Sequence, residues 1–192
     1  MTNPYTKADL IEQLGYVQHS LVETVQSASE EQFISGTLDS WSPANYLKHL
    51  ILSIKPFAKA LKLPTEQLET MFGRPDHLSR SYADLVALYK SRLANGVRAE
   101  DFNGVIPATY RMPEGITDER QYLVETWNDS NNRLLEALKL WSEDDLDRFQ
   151  LPHPAIEMLT LREMLFFTLF HNTMHWHDIQ QGCGQPSIHK GA

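Results

Sequence analysis

Cysteine is nearly absent: Cys183 is the single thiol in 192 residues, which excludes an intramolecular disulfide and suits a reducing compartment. Basic runs are missing too. With 17 Lys and Arg against 25 Asp and Glu, the formal net charge is -8, and no cation cluster stands out that could attract a phosphate backbone. Nucleic acid is therefore not an expected partner. No apolar run approaches the roughly 18 residues of a membrane span, and the opening MTNPYTKADLIEQL lacks the basic start and apolar core of a signal peptide. The expectation is a soluble, cytoplasmic protein with no membrane contact. Strict alternation of polar and apolar residues over a strand length is also scarce. What remains is a chain of 42% hydrophobic residues, enough to bury a core as one globular domain over residues 1–192.

The apolar residues recur at three- and four-residue spacing, so the chain reads as mostly helical. A first helix is expected from about Lys7 to Ala28, with Leu10, Leu14, Val17, Leu21 and Val25 as its apolar stripe. SEEQF, from Ser29, carries a capping-box pattern and predicts a short hook. In DSWSPANYLKHL, Ser42 is an N-cap, Pro43 occupies the first helical position, and Trp41 can staple onto Tyr46. This second helix should end or kink near Pro56. Residues 62–97 read as an inserted helical segment, with TEQLETMF and SYADLVALYKSRL each opened by a cap residue. Asp101 to Gly115 is rich in Gly and Pro and should be the longest structureless loop. A third long helix is expected from about Asp118 to Trp141, opened by Thr117, and SEDDL then echoes the earlier hook. The last helix starts at the Thr160 and Glu163 capping box and runs to about Gln181, where Gly182, Gly184 and Pro186 stop it.

That last helix holds FHNTMHWHDIQQ, with His171, His175 and His177 inside seven positions. At about 100° per residue, His171 and His175 lie about 40° apart on one face and can share a ligand, whereas His177 falls about 160° from His171. Asp178 returns to within about 20° of His171, as a weak further ligand or an acceptor for an imidazole N–H. His49 is the best third partner, because it lies mid-helix on a face it shares with Ser42, Asn45 and Ser53. Three neutral imidazoles from two packed helices leave positions open on a divalent metal, the arrangement of a catalytic site. The plainer alternative is that an HxxxH pair on a helix binds nothing and that His49 is a hydrogen-bonded core residue. Other metal templates fail: the zincin glutamate position after His171 is Asn172, and Thr168, Asn172 and Tyr46 stand where Glu-x-x-His pairs need glutamate.

His19 is expected at the surface or satisfied, and His77, His153 and His189, in loop-like sequence, are assigned nothing. Cys183 reads as an inert thiol. Tyr110 and Arg111 are the weakest candidates for reaching over a pocket. The back of the last helix carries Leu165, Phe166, Leu169, Phe170 and Trp176, so it should be buried on both sides. Either segment 62–97 or a second subunit could supply the cover, and a homodimer is preferred.

WSPANYLKHL, followed more than a hundred residues later by HNTMHWHDI, resembles the DinB-like family of metalloenzymes, the DinB/YfiT superfamily. The resemblance extends over most of the chain. It implies an all-α four-helix bundle of up-down-down-up topology, often dimeric, here with the helical segment 62–97 inserted between the second and third core helices. It also implies one divalent metal, commonly nickel or zinc, held by His49, His171 and His175. Some members look like thiol-dependent transferases that use a low-molecular-weight thiol such as bacillithiol, mycothiol or glutathione. The sequence departs from the family pattern at Asn45, where a carboxylate is common, and at Asp178, where glutamine is common.

Two readings of function follow. One is a metal-dependent enzyme, a thiol-dependent S-transferase or a hydrolase, acting on a small-molecule substrate, with Asn45 and Asp178 as neighbours of the site. The other is a non-catalytic dimeric bundle whose metal is structural or which holds a small ligand without turnover.

Overall fold

The computed structural model describes residues 4–36 and 40–184, and it is mostly helical. Pro186 and His189 lie outside the described residues. Helix α1, Lys7–Ser27, begins at a capping box between Thr6 and Asp9 and buries Leu10, Leu14, Val17, Leu21 and Val25 along one stripe. Helix α2, Glu30–Ile34, is the expected hook, capped by Ser29 and Gln32 and anchored by the buried Phe33. Helix α3, Pro43–Ala60, opens on Ser42, with the Trp41 and Tyr46 rings 5.5 Å apart as the staple predicts.

Pro56 neither ends α3 nor marks its boundary, as its exposed position inside Pro43–Ala60 makes plain. A proline there forfeits one backbone hydrogen bond. Ile54, Phe57, Ala58 and Leu61, buried on either side of it, gain only if the helix continues, and that burial wins.

The segment after α3 forms α4, Thr65–Phe72, and α5, Tyr82–Ala94. The loop expected to lack structure from Asp101 to Gly115 is preceded by a short 3-10 turn, Ala99–Asp101, and contains another, Pro107–Thr109. Helix α6, Glu119–Leu138, is capped by Asp118 rather than Thr117, the Asp118 carboxylate accepting from the Gln121 N–H. Helix α7, Glu143–Arg148, repeats the hook geometry with Ser142 as its cap. An antiparallel hairpin of β1, Gln150–His153, and β2, Glu157–Thr160, follows, paired from Gln150 with Thr160 to His153 with Glu157. Helix α8, Leu161–Gly182, starts at the expected Thr160 and Glu163 capping box.

Each of the four long helices packs against two others: α3 on α6 and α8, and α1 on α8 and α6. Indole N–H groups brace them, with Trp127 donating to the Gln18 carbonyl of α1 and Trp176 donating to the Thr24 hydroxyl. Helix α5 lies on the outer face of α8, where Tyr82 meets Phe166 edge-on and Tyr89 meets Phe167 and Phe170. Within the chain, therefore, the inserted segment covers Phe166 and Phe170, while α1 covers Trp176. The insertion is fastened by Glu163, whose fully buried carboxylate accepts from the Arg80 guanidinium and the Arg80 backbone N–H. Among the described residues no helix is long and apolar enough to cross a membrane.

Candidate metal centre

His49 projects from the middle of α3, and His171 and His175 from successive turns of α8. Their rings meet with centroids 4.6 to 5.0 Å apart. Among the described residues they form the one group of three His, Cys, Asp or Glu side chains whose ligand atoms lie within 4.8 Å of one another. The two buried members approach most closely, His49 Nε2 standing 3.0 Å from His171 Nε2.

The far edges of two rings fix which nitrogen faces the centre. His49 Nδ1 is 2.8 Å from the Val105 carbonyl oxygen, which can only accept, so Nδ1 carries the proton and Nε2 presents its lone pair. His175 Nδ1 likewise donates to the Asp178 carboxylate at 2.8 Å. Burial, and then the neighbouring His175, pushes His49 down to about 4; only the Val105 hydrogen bond opposes them. His171 falls well below its ordinary value, mainly through burial and then through His175, His49 and His153. Neutral imidazoles are the form that binds a metal.

Two ring nitrogens 3.0 Å apart need a proton or a cation between them. Metal–nitrogen bonds of about 2.0–2.1 Å place two ligand nitrogens about 3.4 Å apart at a tetrahedral angle and about 2.9 Å apart at a right angle. The observed spacing falls between these, so the His49–His171 pair suits a divalent first-row ion, with His175 within reach as the third ligand. Aromatic rings wall it: Trp41 lies 5.1 Å from His49, Tyr46 lies 5.1 Å from His175, and Phe167 stacks on His171 at 5.0 Å.

A family model described as the DinB superfamily matches residues 13–179, a span that includes all three histidines and Asp178. The chain belongs to the DinB superfamily. Comparison with curated proteins and with solved structures finds no match in either. The superfamily assignment agrees with the mostly helical architecture and with the resemblance carried by WSPANYLKHL and HNTMHWHDI.

The triad opens onto a cavity of about 730 Å³. Its remaining wall comes from α3, α5, the stretch after α5, the hairpin and α8, and is dominated by side chains such as Phe57, Tyr89, Leu93, Phe102 and Phe167. Asn45 is not part of this lining: it sits in the first turn of α3, where its backbone N–H is taken by the Ser42 hydroxyl. Asp178 serves His175 rather than His171, the residue nearest to it on the helical wheel. His177 stands outside the lining with its ring 5.4 Å from Trp176. Tyr110 and Arg111 do not line the cavity either; Arg111 is exposed and donates to the Ala108 carbonyl.

His153 is the residue that the sequence left without a role and the fold brings to the site. It ends β1, is 7% exposed, lines the cavity, and packs edge-on against Phe167 at 4.1 Å. Burial pushes it down to about 4. The only sequence signal was its place in FQLPH before a turn, too short for a strand period to register. His77 is drawn instead to Asp76 and Glu163, and His19 stays at the surface beside Glu23. Cys183 is buried, and burial raises its pKa, which agrees with an inert thiol.

Proposed function

We propose that this chain holds one divalent ion, nickel or zinc, through His49, His171 and His175, and acts on a small molecule bound in the adjoining cavity. The observation that carries this reading is the convergence of three imidazoles, two of them held by acceptors on their far side, in the wall of a largely apolar chamber. All-imidazole sites suit these metals. A divalent ion held there supplies a Lewis acid that lowers the pKa of a bound water or thiol. The reaction class is a thiol-dependent S-transfer, using a low-molecular-weight thiol, or a hydrolysis. Val105 and Asp178 keep protons on His49 Nδ1 and His175 Nδ1, so that both Nε2 atoms stay available. Trp41, Tyr46 and Phe167 limit water around the rings.

The pairwise contacts of α1, α3, α6 and α8 support the up-down-down-up four-helix bundle of the superfamily, with 62–97 inserted, and the lone buried thiol suits the cytoplasm. A homodimer belongs to this reading by family likeness, and light scattering tests it.

One observation favours a second reading. Among the described residues lining the cavity the only carboxylate is Glu100, which is exposed, so no buried carboxylate stands ready as acid or base. A metal held for stability, or a ligand held without turnover, fits that lining. Metal analysis of the purified protein beside His49→Ala and His171→Ala tests the site, and full metal content in both variants overturns it. With metal restored, turnover in a panel of thiols and electrophiles supports the enzyme; its absence favours the second reading.

A further inference from the structure

Two polar groups of the cavity wall have no partner among the described residues. His153 accepts from the Ala155 backbone N–H through Nδ1 at 3.2 Å, so the neutral ring carries its proton on Nε2, and among the described residues that N–H meets no partner. Asn172, 2% exposed and also part of the lining, leaves its side-chain Nδ2 without a partner. Both unmet groups are donors. A buried donor left unmet costs about 1–3 kcal/mol, so Asn172 Nδ2 is an unfilled demand for an acceptor, and the unpartnered His153 Nε2–H is free to take one from an occupant of the cavity.

The rest of the wall limits what else the occupant can be. Apart from the histidines and Asn172 it is chiefly aromatic and aliphatic, and its one cationic side chain, Arg98, is already engaged by the Leu93 and Val97 carbonyls. A single imidazole N–H asks for no more than a neutral acceptor, and a neutral group avoids the cost of burying a charge among these apolar side chains. The volume of about 730 Å³ falls in the range that encloses a compact organic molecule.

We propose that the cavity takes a neutral, largely apolar small molecule bearing a carbonyl-type oxygen, which accepts from His153 Nε2–H while the apolar body lies against Phe57, Tyr89, Leu93 and Phe102. The inference rests on reading the cavity as the chamber served by the histidine triad, and it assigns that chamber's substrate class and His153 as a residue that touches the substrate.

The test displaces the neutral fluorophore 1-aminoanthracene from the full chain with benzophenone, and with diphenylmethane, which has the same rings without the oxygen. Both displace it, and benzophenone binds about fivefold more tightly, as one neutral hydrogen bond allows. In His153→Phe the diphenylmethane affinity stays within about twofold and the preference for benzophenone disappears. Displacement by neither compound overturns the proposal, and so does a preference that survives in His153→Phe. Should that variant fail to fold, nitrogen NMR of the wild-type imidazoles decides: the His153 Nε2 resonance moves with benzophenone and not with diphenylmethane, and an unmoved resonance refutes the contact. The titrations are repeated in His171→Ala. A preference retained there belongs to His153; one lost there and kept in His153→Phe belongs to the metal, which sinks this inference and leaves the metal reading standing.

Discussion

Asp178 Oδ2 stands 2.8 Å from His175 Nδ1, one helical turn further along α8. The contact helps to orient a ring that also packs against Tyr46, and it sets which nitrogen meets the centre. Removing it with Asp178→Ala should weaken divalent-ion affinity by about 10–100-fold, while Asp178→Asn, which keeps an acceptor oxygen, should lose less. Competition against a chelating dye measures both; equal affinity in wild type and Asp178→Ala would show that the carboxylate is irrelevant to binding.

Glu163 is 0% exposed and joins four donors: the Thr160 N–H at 2.9 Å, the Arg80 N–H at 2.9 Å, the Arg80 guanidinium at 2.8 Å and His77 Nε2 at 3.3 Å. Glu163→Ala strips the helix cap and leaves Arg80 without its counter-charge. A loss of about 3–5 kcal/mol is expected. Arg80→Ala should be milder, since the Glu163 carboxylate then keeps the Thr160 N–H, the residue 80 N–H and His77. Urea unfolding of the two variants checks the order, and a smaller loss for Glu163→Ala contradicts it.

His153 gives the fold a signed pH dependence. Its folded pKa of about 4 lies below the ordinary 6.5, so between these values the unfolded chain takes up a proton that the folded chain refuses. Stability is therefore complete above about pH 6.5 and falls as the pH drops toward 4, by about 3 kcal/mol at roughly 1.4 kcal/mol per unit. His49 and His171 act in the same direction. In chelator, the difference in urea midpoint between pH 7.5 and 4.5 should shrink in His153→Phe, and an unchanged difference would count against a neutral buried His153.

His77 carries the opposite sign. Its hydrogen bond to Asp76, with Glu163 contributing, raises its pKa above the ordinary value. The stabilisation it gives is present in full below pH 6.5 and is lost as the pH rises through the raised folded value. His77→Gln should thus be less stable than wild type at pH 5.5 and nearly equal to it at pH 9. Melting curves at the two pH values distinguish this from a plain packing defect, which would cost the same at both.

Local chemistry made much of this legible in advance. Ser29, Ser42 and Thr160 announced their helices because each supplies an oxygen to an otherwise orphaned N–H, and the sequence prints that oxygen directly. The helical period separated His177 from His171 and His175, and polar residues on one face singled out His49. The hairpin escaped because its strands are four residues long, include Pro152, and turn through Ala155 and Ile156 to a Glu157 at φ 80, where no glycine advertises the bend. With it went His153. The union of Glu163 with Arg80 was hidden for a different reason: the capping box explained Glu163 completely, and only the chain's return through the insertion adds a second set of partners.

The walls and the histidines of the chamber have only partly shared origins. The triad hangs on α3 and α8, whereas much of the surface facing it comes from α5, the stretch after it and the hairpin. Selectivity and ion affinity can therefore diverge independently, and a chimera that exchanges residues 62–104 for another sequence would alter what the chamber admits without touching a ligand. The exchange has to stop short of Val105, because its carbonyl belongs to His49.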